Sequence, residues 1–248
     1  MPLSIDNLTE RDIAKAIDHS LLRPELDDAF VEEGCRLALQ YDVASVCVRP
    51  ADVARAVAIL DGSDVKVGTT IGFPHGNHRT ETKVFEAVRA LGDGARELDM
   101  VIQIGALKSG READVQADIA AVVGVAHAAG AIVKVIFENA YLTDDEKIRA
   151  CRLSEAAGAD FVKTSTGFAP GGATHGDLAL MRRTVSSDVQ VKAAGGVRTL
   201  DALIDVMNLG VTRVGATATK AIIDEFRARK AGAETDAPVA TAAGEAGY

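Results

Sequence analysis

Eight short apolar runs, each followed by a stretch of helical periodicity, leave few folds open to this chain of 248 residues. In order they are AIDHSLL (16–22), SVCV (45–48), VKVGTTIGF (65–73), RELDMVI (96–102), AIVKVIFE (131–138), FVKTST (161–166), VQVKAAGG (189–196) and TRVGAT (212–217). Runs this short, rich in Val and Ile, read as strands covered on both faces. Between them the spacing is helical, as in 26–40 with Leu26, Phe30 and Leu37. Thr143 with Glu146 reads as a helix start, and Gly92, Gly130, Gly158 and Gly210 read as helix ends. Thr9 followed by Asp12 opens a short N-terminal helical segment. This alternation predicts an α/β fold, a single-domain TIM (β/α)8 barrel over residues 1–229. An open doubly wound sheet uses the same alternation. It is disfavoured because no GxGxxG follows an early strand and the polar residues end many different strands. Residues 230–248, rich in Ala, Gly, Glu and Thr with a lone Pro238, read as a flexible tail ending in Tyr248.

Composition narrows the partners. Apolar residues make up 48% of the chain and Trp is absent, so the expected core is large and aliphatic. The net charge is −9 with no run of Lys and Arg, which disfavours nucleic acid and anionic membranes. Any groups that hold a phosphate must therefore be local. Cys35, Cys47 and Cys151 are odd in number and form no CxxC pair, and no targeting segment opens the chain. Both point to a reduced, cytoplasmic setting. No apolar run reaches the roughly 20 residues that cross a bilayer. A homodimer and a monomer both suit this composition.

Strand parity sorts the charged residues. Side chains alternate across a strand, and an ionised group facing the apolar side of the helix layer carries a large penalty. Lys134, Lys163, Lys192 and Asp99 are thus expected inside the barrel, near the strand ends where this fold keeps its sites. Three amines against few carboxylates look undercompensated for a structural ion-pair network. A lysine attacks carbonyls as the neutral amine, and a neighbouring cation with partial desolvation promotes that form. The register expected for 161–166 and 189–196 sets Lys163 beside Lys192 at a similar height.

Gly171 and Gly172, Gly195 and Gly196, and Gly215 read as turns after the last three strands, a seat for phosphate on backbone amides. Thr166 and Ser165 read either as contacts to substrate hydroxyls or as partners for the turn backbone. Cys47 reads as a pocket thiol or a small core thiol, and Asp18 as support for the lysines or a structural acceptor. No metal site is expected, since only His75 and His78 lie close together, without a further ligand nearby.

The segments IDHSLL, SVCVRP, TTIGFPHG, ELDMVIQIGALKSG, KVIFE, FVKTSTGF with GGAT, VKAAGGVRT and TRVGA occur in one order between 17 and 220. Together they resemble the deoxyribose-phosphate aldolase family of class I aldolases. That resemblance implies a Schiff base on Lys163, proton transfer by Lys192 and Asp99, phosphosugar and aldehyde substrates, and no cofactor. Arg49 stands where the family often has Asn, His75 where it often has Leu, and Thr217 where it often has Ser. Arg49 and His75 leave open an aldolase for a different phosphosugar. A noncatalytic phosphosugar-binding barrel is the reading from another class. Tyr248 is expected either to fold over the site and move a proton or to be an inert end.

Overall fold

The computed structural model describes residues 2–232, in which eight parallel strands close into a barrel in sequence order. The strands are β1 Ile17–Leu21, β2 Ser45–Val48, β3 Lys66–Ile71, β4 Glu97–Val101, β5 Ile132–Ile136, β6 Phe161–Lys163, β7 Gln190–Ala194 and β8 Val211–Ala216. Around them run α1 Glu10–Ala14, α2 Asp28–Gln40, α3 Val53–Leu60, α4 Thr80–Gly92, α5 Ile104–Lys108, α6 Glu112–Ala128, α7 Asp144–Ala156, α8 His175–Thr184, α9 Leu200–Asn208 and α10 Thr219–Lys230. The single TIM barrel follows the alternation, and α1 is the expected N-terminal segment. The tail expected from 230, including Tyr248, lies outside the described residues from 233 onward.

Local chemistry explains the boundaries. Thr9 accepts from the Asp12 N–H while Asp12 accepts back from the Thr9 N–H at 2.8 Å, closing a capping box. Thr143 and Glu146 do the same for α7. The layer between sheet and helices is small and aliphatic: Val46, Leu98, Val133, Val162, Val191 and Val214 are all fully buried. Strand β6 is the exception in length. It ends at Lys163, not at Thr166 as the apolar run suggests, because the chain turns out of the sheet there.

Parity alone does not keep charge out of the helix layer. Lys83 of α4 is fully buried, 2.5 Å from the Asp118 carboxylate of α6, and donates to the Val101 carbonyl at 2.8 Å. The pair ties two helices to the C-terminal end of β4, two residues beyond Asp99.

A second buried group makes the fold pH-sensitive. His19, on the face of β1 opposite to Asp18, shares a 2.9 Å hydrogen bond with the Thr219 hydroxyl of α10. Burial pushes its pKa down to about 4. Its contribution to stability is therefore complete above the free imidazole value near 6.5 and is lost as pH falls toward 4. The loss amounts to ~3 kcal/mol over that window. Urea unfolding of the wild type is expected to weaken between those pH values more steeply than that of His19→Gln. Equal slopes would remove His19 as the cause.

Candidate active site

The barrel interior holds four cations and three carboxylates in one contact network. Lys134 Nζ lies 2.5 Å from Glu97, 3.0 Å from Asp99 and 3.3 Å from Asp18. Lys192 Nζ lies 2.6 Å from Asp18 Oδ2 and 2.7 Å from Asp99 Oδ2. Lys163 Nζ reaches one carboxylate, the same Asp99 Oδ2, at 2.7 Å. Arg213 of β8 pairs with Asp18 and, at 2.7 Å, with Glu97. All three lysines are at most 2% exposed.

The register that positions these groups is direct. Lys163 and Lys192 are paired neighbours across β6 and β7, and Asp99 and Lys134 across β4 and β5. The interior is nevertheless better compensated than three lysines and Asp99 suggest. Asp18 and Glu97 supply two further anions, and Arg213 a fourth cation. One positive charge remains in excess, so release of a single proton leaves the interior neutral. Asp18 contacts Lys134 and Lys192, and accepts a 2.7 Å hydrogen bond from the Ser45 hydroxyl as well.

The three lysines are not equivalent. Burial pulls Lys134 down, but Asp18, Asp99 and Glu97 outweigh it and hold the amine well above its ordinary range. Lys134 is a fixed cation at the centre. Burial raises Asp99, yet Lys134, Lys163 and Lys192 together hold it well below the usual carboxylate range. Asp18 is lowered in the same way by Lys134, Lys192 and Arg213. Lys163 has the least carboxylate support and ends its strand, where the barrel opens.

Cys47 faces this network from β2. Burial, then the charge of Asp99, pushes its thiol up to about 11, so it is neutral near pH 7. Cys35 and Cys151 are likewise free and buried.

The glycine turns converge only in part. Gly172 and Gly195 meet backbone to backbone: a Cβ on Gly172 would lie 2.7 Å from the Gly195 carbonyl. The Ala173 N–H bonds back to the carbonyls of Ala194 and Gly195. No carbonyl among the described residues accepts from the N–H of Gly171, Gly172, Gly195 or Gly196. These amides are available to an anion. Gly215 is not in a turn after β8 but inside it, paired with Asp18 and Ala194. Its missing side chain leaves room beside Lys192, whose Cε a Cβ there would meet at 3.7 Å.

Two residues beyond the strand ends are engaged by the protein's own groups. Thr166 is fully buried; its hydroxyl donates to Glu138 and accepts from the Phe168 N–H at 3.0 Å, so it serves the turn. Arg49 is held among loop contacts beyond the C-terminal end of β2. It binds Asp52 at 2.6 Å and donates to the carbonyls of Pro24 and Leu26, bracing the loop after β1. His75 does lie at the mouth, lining a small cavity with Glu138, Tyr141 and Phe168.

Glu97, Arg213 and Glu138 are the charged members that sequence reasoning did not single out. Glu97 shares parity with Asp99, which was the available signal; nothing marked Arg213 or Glu138. Among the described residues no group of His, Cys, Asp and Glu comes together to hold a metal, and no helix is long and apolar enough to cross a membrane.

A model of the DeoC/LacD family aldolases matches residues 12–235. The deoxyribose-phosphate aldolase of Clostridium perfringens is 50% identical over 217 residues, which cover 88% of this chain and 96% of that protein. The deoxyribose-phosphate aldolase of Rhodopirellula baltica is 48% identical over 237 residues, 96% of this chain and 97% of that one. Among solved structures, the tetrameric deoxyribose phosphate aldolase from Aeropyrum pernix superposes with a TM-score of 0.83 at 29% identity, covering 91% of this chain and 95% of that one.

Proposed function

The chain belongs to the DeoC/LacD family of aldolases, and from that premise we propose that it is a class I deoxyribose-phosphate aldolase. It reversibly cleaves 2-deoxy-D-ribose 5-phosphate to D-glyceraldehyde 3-phosphate and acetaldehyde. The observation that carries the lysine chemistry is Asp99 Oδ2, held 2.7 Å from both Lys163 and Lys192 in a buried interior with one excess positive charge.

Lys163, as the free amine, adds to C1 of the open-chain sugar, and loss of water gives a protonated imine. The imine accepts the electron pair of the C2–C3 bond as it breaks, leaving an enamine of C1 and C2 on Lys163 and the new aldehyde carbonyl at C3. The C3 hydroxyl proton departs, and a proton returns to the enamine carbon, C2. Asp99, held strongly ionised by three amines, is a poor resting place for that proton. It orients the two lysines and passes protons through water, with Lys192 as the carrier. Hydrolysis of the imine releases acetaldehyde. The amides of Gly171, Gly172, Gly195 and Gly196 hold the 5-phosphate. The setting is the cytoplasm, as a monomer or homodimer.

Borohydride reduction in the presence of deoxyribose 5-phosphate or acetaldehyde is expected to leave a stable adduct on Lys163. A protein without that adduct would refute the mechanism. Trapping with other phosphosugars alone would keep the chemistry and change the substrate.

A further inference from the structure

Because β6 stops at Lys163, the residues that follow the proposed nucleophile are held by contacts outside the regular ladder. The Thr164 carbonyl accepts from the Asn139 N–H at 2.9 Å. The Thr164 hydroxyl accepts from the Ala194 N–H at 3.1 Å and donates to the Ala194 carbonyl at 3.3 Å. The third anchor is Glu138. Its two carboxylate oxygens each lie 3.3 Å from the Thr166 nitrogen, whose N–H they accept, and Oε2 accepts the Thr166 hydroxyl as well.

Glu138 is an unusual residue for a brace. It is 3% exposed, and its backbone sits at φ 57° and ψ 68°, in the left-handed region that side chains with a Cβ rarely occupy. Among the described non-glycine residues only Asp42 shares a positive φ. A buried carboxylate in such a backbone persists where its surroundings hold it there, and sites of function are where such residues gather. The ionisable group facing it from β6 is Lys163, and from the loop after β3 it is His75. Tyr141 lines the same small cavity.

We propose that Glu138 is a positioning residue of the aldolase reaction, acting through Thr166 to fix the segment after Lys163 and so the approach of its amine to the substrate carbonyl. The inference rests on the aldolase reading above. Glu138 and Thr166 form one unit, in which a single carboxylate accepts every proton Thr166 offers. Gln at 138 keeps the size but turns one acceptor into a donor facing Thr166. Val at 166 keeps the shape and removes the hydroxyl. Either change frees the same segment, so the second adds little once the first is made.

The test is a cycle of Glu138→Gln, Thr166→Val and the double variant, measured as kcat and KM for deoxyribose 5-phosphate cleavage, with reductive trapping of acetaldehyde and the thermal midpoint. Each single change is expected to lower kcat by about ten- to a hundredfold, the scale of a small misplacement of reacting groups, at little changed KM. The double variant is expected to be no worse than the slower single, and Thr166→Ser, which keeps the hydroxyl, to recover most of what Thr166→Val loses. Losses that multiply in the double variant would overturn the proposal, as would Glu138→Gln with wild-type kcat and only a lower thermal midpoint. If Glu138→Gln does not fold, the isosteric Thr166→Val carries the same expectation alone, and a wild-type kcat in it overturns the proposal. A wild-type protein that traps no acetaldehyde on Lys163 removes the aldolase reading and this inference with it. Normal wild-type trapping alongside multiplying losses removes Glu138 only.

Discussion

Lys163→Met is expected to lower kcat for deoxyribose 5-phosphate cleavage by at least ~10⁴-fold, the scale on which loss of a covalent nucleophile acts, while leaving the fold as stable as before. The two halves of that result come from one charge count. Four cations, Lys134, Lys163, Lys192 and Arg213, share the interior with Asp18, Glu97 and Asp99. Removing Lys163 takes away the cation in excess. Asp99 keeps Lys134 on Oδ1 at 3.0 Å and Lys192 on Oδ2 at 2.7 Å, so no carboxylate is orphaned. Met fills nearly the same volume among buried neighbours. The thermal midpoint is therefore expected to stay level or rise. Breaking a necessary buried pair would instead cost about 3–5 kcal/mol, or roughly 10 °C in a chain of this size. Calorimetry on the variant, beside its turnover, separates the two. A midpoint drop of that size would mean that Lys163 is part of the scaffold, and cleavage within about a hundredfold of wild type would move the nucleophile elsewhere.

The same network explains which parts of the site were legible. Parity along FVK and QVK suffices to put Lys163 and Lys192 on the inner face, and equal strand heights suffice to pair them. Parity names a face but not a partner. Asp18 on β1 meets Lys134 on β5 and Lys192 on β7 because the barrel is closed and its interior narrow, a relation across the axis that no local pattern carries. Arg213 escapes notice for the same reason, sitting in an ordinary β8 run whose charge is balanced by residues from β1 and β4. The apolar run ending in Phe137 and Glu138 looks like a continuous strand, yet Glu138 bends into a left-handed conformation that only tertiary contacts maintain. Arg49 illustrates the converse. A lone arginine near a strand end suggests a ligand, but three loop carbonyls and Asp52 already engage it. Lys83 and Asp118 show that the rule excluding charge from the helix layer yields when two opposite charges are buried together.

Asp99→Asn should give the opposite pattern to Lys163→Met: a less stable protein that still forms the imine. Asp99 is fully buried and lies within 3.0 Å of three amines, so its charge is shared by Lys134, Lys163 and Lys192. Without it four cations face two carboxylates, and the expected loss is about 3–5 kcal/mol. That interior gives up a proton more readily, so reductive trapping of acetaldehyde is expected to extend to lower pH than in the wild type. Turnover needs the relay as well as the imine, and kcat is expected to fall by about 10²–10⁴-fold. Acid stability supplies an independent reading. Burial raises Asp99, but the three amines outweigh it and hold its folded-state pKa well below the ordinary range. Its contribution is thus present in full above the unfolded value near 3.9 and is lost as pH falls through the depressed folded value. Asp18 adds a loss of the same sign, so the wild type is expected to weaken steeply below about pH 4. The Asn variant should show a slope shallower by one proton, measured as the pH dependence of its urea midpoint. An unchanged slope would remove Asp99 as a cause of the acid sensitivity, and trapping that disappears with kcat would mean that Asp99 is needed to make the imine itself, its part shifting from the relay to activating Lys163.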